Sequence, residues 1–210
     1  MATYRDILAN RENENWVKAS LALKITKEGL CDYVTSTFSN LHQKIYMSIT
    51  HAHRLPVGAS CHACQTENLV LCPSRGLCSL KSGQCSYHDA PNKSPRPCPA
   101  NICGTVRDEI VRYHRNNAPT MRNTRAHLWS SNPGPGPWEI AKCYMPYGYT
   151  DISSFEETDL HGVIRSLINC EDCQKGLSFQ VGTTPNLLSE VHDTVFNCQS
   201  KYCDCLCKQF

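Results

Sequence analysis

"LCDYVTSTFSNLHQKIYMSI", residues 30–49, decides the fold class. Leu30, Val34, Phe38, Leu41, Ile45 and Ile49 recur at spacings of four and three, which places them on one face of a long helix. Upstream, Trp16, Val17, Leu21 and Leu23 predict a shorter helix, with Thr26 placed to cap the helix that follows and Glu28 in its first turn. The chain is therefore expected to open as a helical hairpin. Nowhere does it alternate at period two for long, so no sheet is expected beyond a small hairpin in the cysteine-rich part.

Downstream of the next interruption, Val106, Ile110 and Val111 or Tyr113 restore helical spacing. Ser130-Ser-Asn-Pro-Gly-Pro-Gly-Pro137 cannot continue a helix. Trp138 to Met145 reads as a short helix stopped by Pro146 and Gly148. Ser153 and Ser154, three residues ahead of Glu156 and Glu157, make a capping-box pattern before an apolar face of Phe155, Leu160, Val163, Ile164, Leu167 and Ile168 that ends near Asn169. A last helix would use Leu187, Leu188, Val191 and Val195. The fold class that follows is all-α: a helical bundle interrupted by an irregular cysteine-rich insertion. Its parts are N-terminal helices over 1–54, the insertion over 55–103, the remaining helices over 104–197, and a cysteine-rich tail over 198–210 that is expected to be disordered.

The chain has 210 residues, enough to bury a core without covalent staples. A net charge of +2 exerts no global pull on nucleic acid or membrane, so such a partner needs a local patch. The N-terminus lacks the apolar segment of a signal peptide, and no run approaches about 18 apolar residues. An intracellular protein, cytoplasmic or nuclear and without a membrane span, is expected. Fifteen cysteines would suit a secreted disulfide protein, but the number is odd and no export signal accompanies it, so zinc or reduced thiols fit better.

Within the insertion, Cys61-His-Ala-Cys64 and Cys85-Ser-Tyr-His88 are short-spaced pairs, and Cys72 with Cys78 and Cys98 with Cys103 are wider ones. Tight turns of this kind aim two ligands at one tetrahedral ion, and thiolate-rich sets of four are usually structural rather than catalytic. One or two zinc ions are expected. Two pairings use all eight ligands. In a nested one, Cys61, Cys64, Cys98 and Cys103 share one ion and Cys72, Cys78, Cys85 and His88 the other; the alternative is an interleaved cross-brace. His62, inside the first turn, should point away.

Arg107, Arg112, Arg115, Arg122 and Arg125, with His114 and His127, form the most basic stretch. Its plainest reading is a solvated helix face. Its functional one is a phosphate-binding surface, with Tyr113 or Trp129 offering a stacking face. The tail carries Cys198, Cys203, Cys205 and Cys207; the final four residues resemble a prenylation box only formally, since Lys and Gln stand at its aliphatic positions. No P-loop, nucleophile elbow, HExxH, dinucleotide or kinase motif is present. No one cysteine is singled out as a nucleophile.

Asn15-Trp-Val-Lys-Ala19, Asp108-Glu-Ile-Val-Arg-Tyr-His114, Trp138-Glu-Ile-Ala-Lys-Cys-Tyr-Met-Pro146 and Leu167-Ile-Asn169 together resemble the animal family of the chromosome X open reading frame 38 protein and its invertebrate relatives. The stretch "MPYGYTDISSFEETDLHGVIRSLINC", residues 145–170, is also similar to the helical core of HEPN domains of the kind found in DZIP-type ubiquitin ligases. That second resemblance implies a small, frequently dimeric bundle associated with RNA binding or metal-independent RNA cleavage in innate defence. HEPN nucleases carry an Arg, four intervening residues and then a His on the last helix. The region around His192 has no such Arg. Arg122-Asn-Thr-Arg-Ala-His127 does have the spacing, but it lies between helices beside a Pro-Gly loop, where its geometry is not expected to be fixed.

The leading expectation is a zinc-stabilised, HEPN-like module that binds a protein partner or RNA, could pair as a homodimer, and does no chemistry. The rival is a HEPN-type RNA endonuclease in which Arg122 and His127, or His192, supply acid-base catalysis. A scaffold in a ubiquitin-pathway complex is the lesser third reading.

Overall fold

Residues 31–49 of the opening stretch lie in one long helix, as their spacing predicts, with Leu30 just ahead of it. The structure, a computed structural model, describes residues 11–56, 58–70, 97–176 and residue 190. Helix α1 (Arg11–Gly29) is followed by α2 (Cys31–His53), which buries Val34, Phe38, Leu41, His42, Ile45 and Ile49. Each of the five apolar side chains is at most 1% exposed, and burying one contributes about 1.5–3 kcal/mol.

The hairpin expected at this point is not formed. Only Leu30 separates the two helices, it holds a right-handed helical conformation, and Leu30 N–H to Lys27 O and Val34 N–H to Leu30 O carry the bonding across the junction. Reversing a helix needs a loop of about 2–5 residues. Thr26 caps nothing, because its hydroxyl donates to Ala22 O within α1 at 2.8 Å. The first helix is accordingly longer than its apolar spacing indicated.

Helix α2 is the centre of the bundle. It packs against α3 (Cys103–Tyr113), α4 (Gly136–Lys142) and α6 (Glu171–Gly176), while α1 lies against α5 (Leu160–Asn169) and α2. The contact with α4 is close: a Cβ on Gly136 would lie 2.5 Å from His42 Nε2 and 2.6 Å from Ser131 O, so only glycine fits there. Helix α3 contributes Val106, Ile110 and Tyr113 to the core. Tyr144 joins the parts, with its ring against Phe38 and His114 and its hydroxyl donating to Ile110 O. Among the described residues there is no strand, only an isolated bridge between His114 and Cys170.

Helix α5 begins later than the capping-box pattern predicts. Ser153 N–H and Oγ both donate to Glu157 Oε2, which closes a turn ahead of the helix. The cap is Asp159, whose Oδ1 accepts from Gly162 N–H at 2.8 Å. The predicted helix through Leu187, Leu188, Val191 and Val195, and the tail at 198–210, lie outside the described residues.

A buried polar frame ties α4 to the segment before it. Glu139 and Lys142, 5% and 1% exposed, form an ion pair at 2.8 Å. Glu139 Oε2 also accepts from Thr124 Oγ1 and Arg125 N–H, and Lys142 Nζ donates to Thr150 O. Glu139→Ala leaves the Lys142 ammonium buried and uncompensated, so urea denaturation should show a loss of about 3–5 kcal/mol. Asp159→Ala, which removes only a helix cap, should cost about 1 kcal/mol in the same measurement.

Candidate metal centre and the pocket beside it

Two short turns bring four cysteines together. Cys61 and Cys64 flank a tight two-residue link. The link from Cys98 to Cys103 is reversed at Asn101, whose φ of 56° is the left-handed conformation that asparagine tolerates, and Asn101 N–H donates to Cys98 O. Cys103 then opens α3. The four sulfurs lie within 4.8 Å of one another, and all four residues are buried. These four are the set that the nested arrangement assigns to one ion. Cys72, Cys78, Cys85 and His88 lie outside the described residues. His62 is exposed and faces Ser60 Oγ, away from the cluster.

The cluster is a set of thiols, not of disulfides: Cys61 and Cys98 sulfurs are 3.6 Å apart, and every described cysteine is free. Burial works against the Cys98 thiolate, but the backbone N–H groups of Cys103 and Ile102 and the thiols of Cys64 and Cys61 favour it, and its pKa falls to about 7. Burial, and then the charges of Cys98, Cys64 and Cys61, push the Cys103 thiol up. Four sulfurs that converge at this range suit a soft, tetrahedrally coordinated cation, and a closed set of four leaves no open position for a substrate.

The turn that leaves Cys64 forms one wall of a cavity of about 440 Å³. Gln65, Thr66, Glu67 and Val70 line this side; Arg122, Thr124, Arg125, His127, Tyr147 and Thr150 line the other. The second wall is fixed, contrary to the expectation for 122–127. Short 3₁₀ turns hold Met121–Asn123 and Ala126–Leu128. Asn123, fully buried, donates to Lys142 O and Pro146 O and accepts from Gly148 and Tyr149 N–H. Thr124 is clamped between Glu139 and the Trp129 indole N–H.

The basic stretch divides in two. Arg107 donates to Leu69 O and Asp108, and Arg112 pairs with Glu109 over the Tyr113 ring. Arg115 lies outside the pocket lining. Arg122 and Arg125 are exposed at the cavity; Arg125 has only a 3.8 Å contact with Asp151, while the side chains of Arg122 and His127 bond to no described residue. Tyr113 and Trp129 are 5% and 1% exposed, so neither can stack on a ligand. Tyr147, 74% exposed at the rim, is the aromatic face that the sequence reading missed. His192 lies outside the described residues.

A second thiol pair was also missed, although its C-x-x-C spacing is plain in the sequence. Cys170 and Cys173 are fully buried beside α2, where Tyr33 OH donates to Cys173 O. The Cys173 thiol and the N–H groups of Cys173 and Asp172 lower the Cys170 pKa against burial, while the same thiol contact and burial raise that of Cys173. No third ligand joins them among the described residues.

Among the described residues, no helix is long and apolar enough to cross a membrane. No solved structure matches the chain. The mouse (Mus musculus) protein named "Uncharacterized protein CXorf38 homolog" is 25% identical over 162 residues, which cover 76% of this chain and 42% of the relative; the chain thus spans less than half the length of the protein it matches. The family model described as "Domain of unknown function (DUF4559)" matches residues 8–195, and the chain belongs to that family.

Proposed function

We propose that the chain is a zinc-stabilised module on a HEPN-like bundle that holds single-stranded RNA in the cavity beside the cysteine cluster and does not cleave it. The observation that carries this reading is the cavity's lining. Arg122 and Arg125 reach it with little or no engagement by protein carboxylates, and Tyr147 offers an open ring next to them. Guanidinium groups bind phosphate oxygens in pairs, and an aromatic face accepts any base. With a net charge of only +2, recognition has to come from such a local arrangement.

Fluorescence anisotropy with a labelled single-stranded RNA should show saturable binding. Tyr147→Ala should weaken it by about 1–3 kcal/mol, the usual contribution of one stacked base. Arg122→Ala should also weaken it and flatten its salt dependence. Absence of binding, or affinities that these substitutions leave unchanged, would sink the proposal.

One observation favours the rival endonuclease: Arg122 and His127 line the same cavity. Against it, no described group donates to or accepts from the His127 ring, so nothing selects the tautomer that a general base requires. Incubation of purified protein with end-labelled RNA should leave the RNA intact. Cleavage that His127→Ala abolishes would establish the rival instead.

Zinc is the ion that best suits four buried thiolates in a closed set. Elemental analysis of the purified chain should find zinc, and Cys98→Ser should lower the content by one equivalent per chain. Zinc content unaffected by that change would remove the cluster from consideration.

A further inference from the structure

We infer that metal occupancy of the Cys61, Cys64, Cys98 and Cys103 cluster controls ligand binding in the adjoining cavity, so that zinc and RNA bind cooperatively. The inference rests on the RNA-binding reading of that cavity and concerns how the same site is regulated.

The two walls of the cavity are held by different means. Arg122, Thr124 and Arg125 stand on a segment fixed to the bundle through Asn123 and Glu139. Thr66 and Glu67 stand on a 3₁₀ turn, Thr66–Leu69, that is too short to set its own position. The turn leaves Cys64 by a single residue, so the cysteine cluster sets where it starts. Beyond the cluster its described anchors are few: Leu69 is buried, and Arg107 donates to Leu69 O at 2.7 Å.

The Thr66 side chain joins the walls. Thr66 Oγ1 donates to Thr124 O at 2.6 Å and accepts from Ala126 N–H at 3.1 Å, and it is buried while doing so. The cluster touches the same segment directly, through Cys103 Sγ to Ala126 O and Cys61 N–H to Ser130 Oγ. An ion shared by the two cysteine pairs ties the turn to α3 and holds Thr66 against Thr124 and Ala126. Without it, no cross-link joins Cys61 and Cys64 to Cys98 and Cys103, and the alignment rests on weaker contacts, among them Thr66 to Thr124 and Ala126 and Arg107 to Leu69 O. The first wall then retreats while the arginine wall stays. Such coupling is reciprocal, so bound RNA must hold the metal more tightly by the same factor.

The test uses the full chain, zinc-loaded and after chelation, with residual zinc measured in each sample. Metal removal should weaken single-stranded RNA binding about tenfold, within the range usual for coupled sites. It should also accelerate hydrogen exchange at the Ala126 amide. RNA should slow zinc transfer to a chromogenic chelator. Thr66→Val retains all four thiols and should keep its zinc, yet its RNA affinity should hardly respond to metal removal. If chelation unfolds the bundle, as far-UV dichroism would reveal, the zinc-loaded variant decides: RNA affinity and zinc-release rate equal to those of the parent overturn the coupling. Unchanged RNA affinity and unchanged Ala126 exchange in folded, metal-free parent protein overturn it as well. If zinc-loaded parent protein binds no RNA, the functional reading fails, and the exchange rate at Ala126 alone judges whether cluster and cavity are linked.

Discussion

The Glu139 carboxylate is the constraint on which the site depends. A buried carboxylate is costly unless each oxygen is paired, and here one oxygen meets the Lys142 ammonium while the other accepts from Thr124 Oγ1 and Arg125 N–H. Satisfying that charge fixes the path of residues 124–125, which otherwise belong to a loop. Trp129 is drawn in by the same network, since its indole N–H donates to Thr124 Oγ1. Arg122, Arg125 and His127 then face outward because the residues between them, Asn123, Thr124 and Ala126, are committed inward. The cavity's basic wall is thus the outer side of a buried polar network.

The cysteine cluster supplies what this network does not reach. Its four sulfurs come from two turns separated by more than thirty residues of sequence, and one α-helix begins at its last member. Loop closure of that length is inexpensive in chain entropy relative to the free energy a tetrathiolate site returns when a metal binds. The described turn between the two cysteine pairs, Thr66–Leu69, lies over the basic segment.

Much of this was legible in the sequence where one physical signal acted alone. The apolar period of residues 30–49 predicts α2 because burial dominates there, and the paired cysteines, one pair short-spaced and one wider, point to the cluster because ligand geometry dominates. Misreadings arose where a polar side chain had two local options. Thr26 can cap a following helix or bond back to Ala22 O, and with no turn after it the second won. Ser153 and Glu157 satisfy each other ahead of α5 and leave the cap to Asp159. Trp129 was expected as an open stacking face, but its one donor found a buried partner and the ring followed. The cavity was not legible, because its lining comes from 65–70, 122–127 and 147–150, which no local pattern connects.

Holding a nucleic acid and cutting one make different demands on such a site. A phosphate needs only charge and donors at the right distance, which, on the proposed reading, the exposed Arg122 and Arg125 on their held segment would supply. In-line cleavage demands more: a base within reach of the 2′-hydroxyl, in a defined tautomer, held by a partner of its own. The His127 ring has no described partner, whereas the buried His42 is held by Trp129 O at 2.7 Å and has its pKa lowered by burial. His42 is thus oriented inside the core, whereas the ring at the cavity has no described partner to orient it. On the proposed reading, an imidazole in that position would add a donor to a bound phosphate in either tautomer, a role that does not require the alignment that catalysis does.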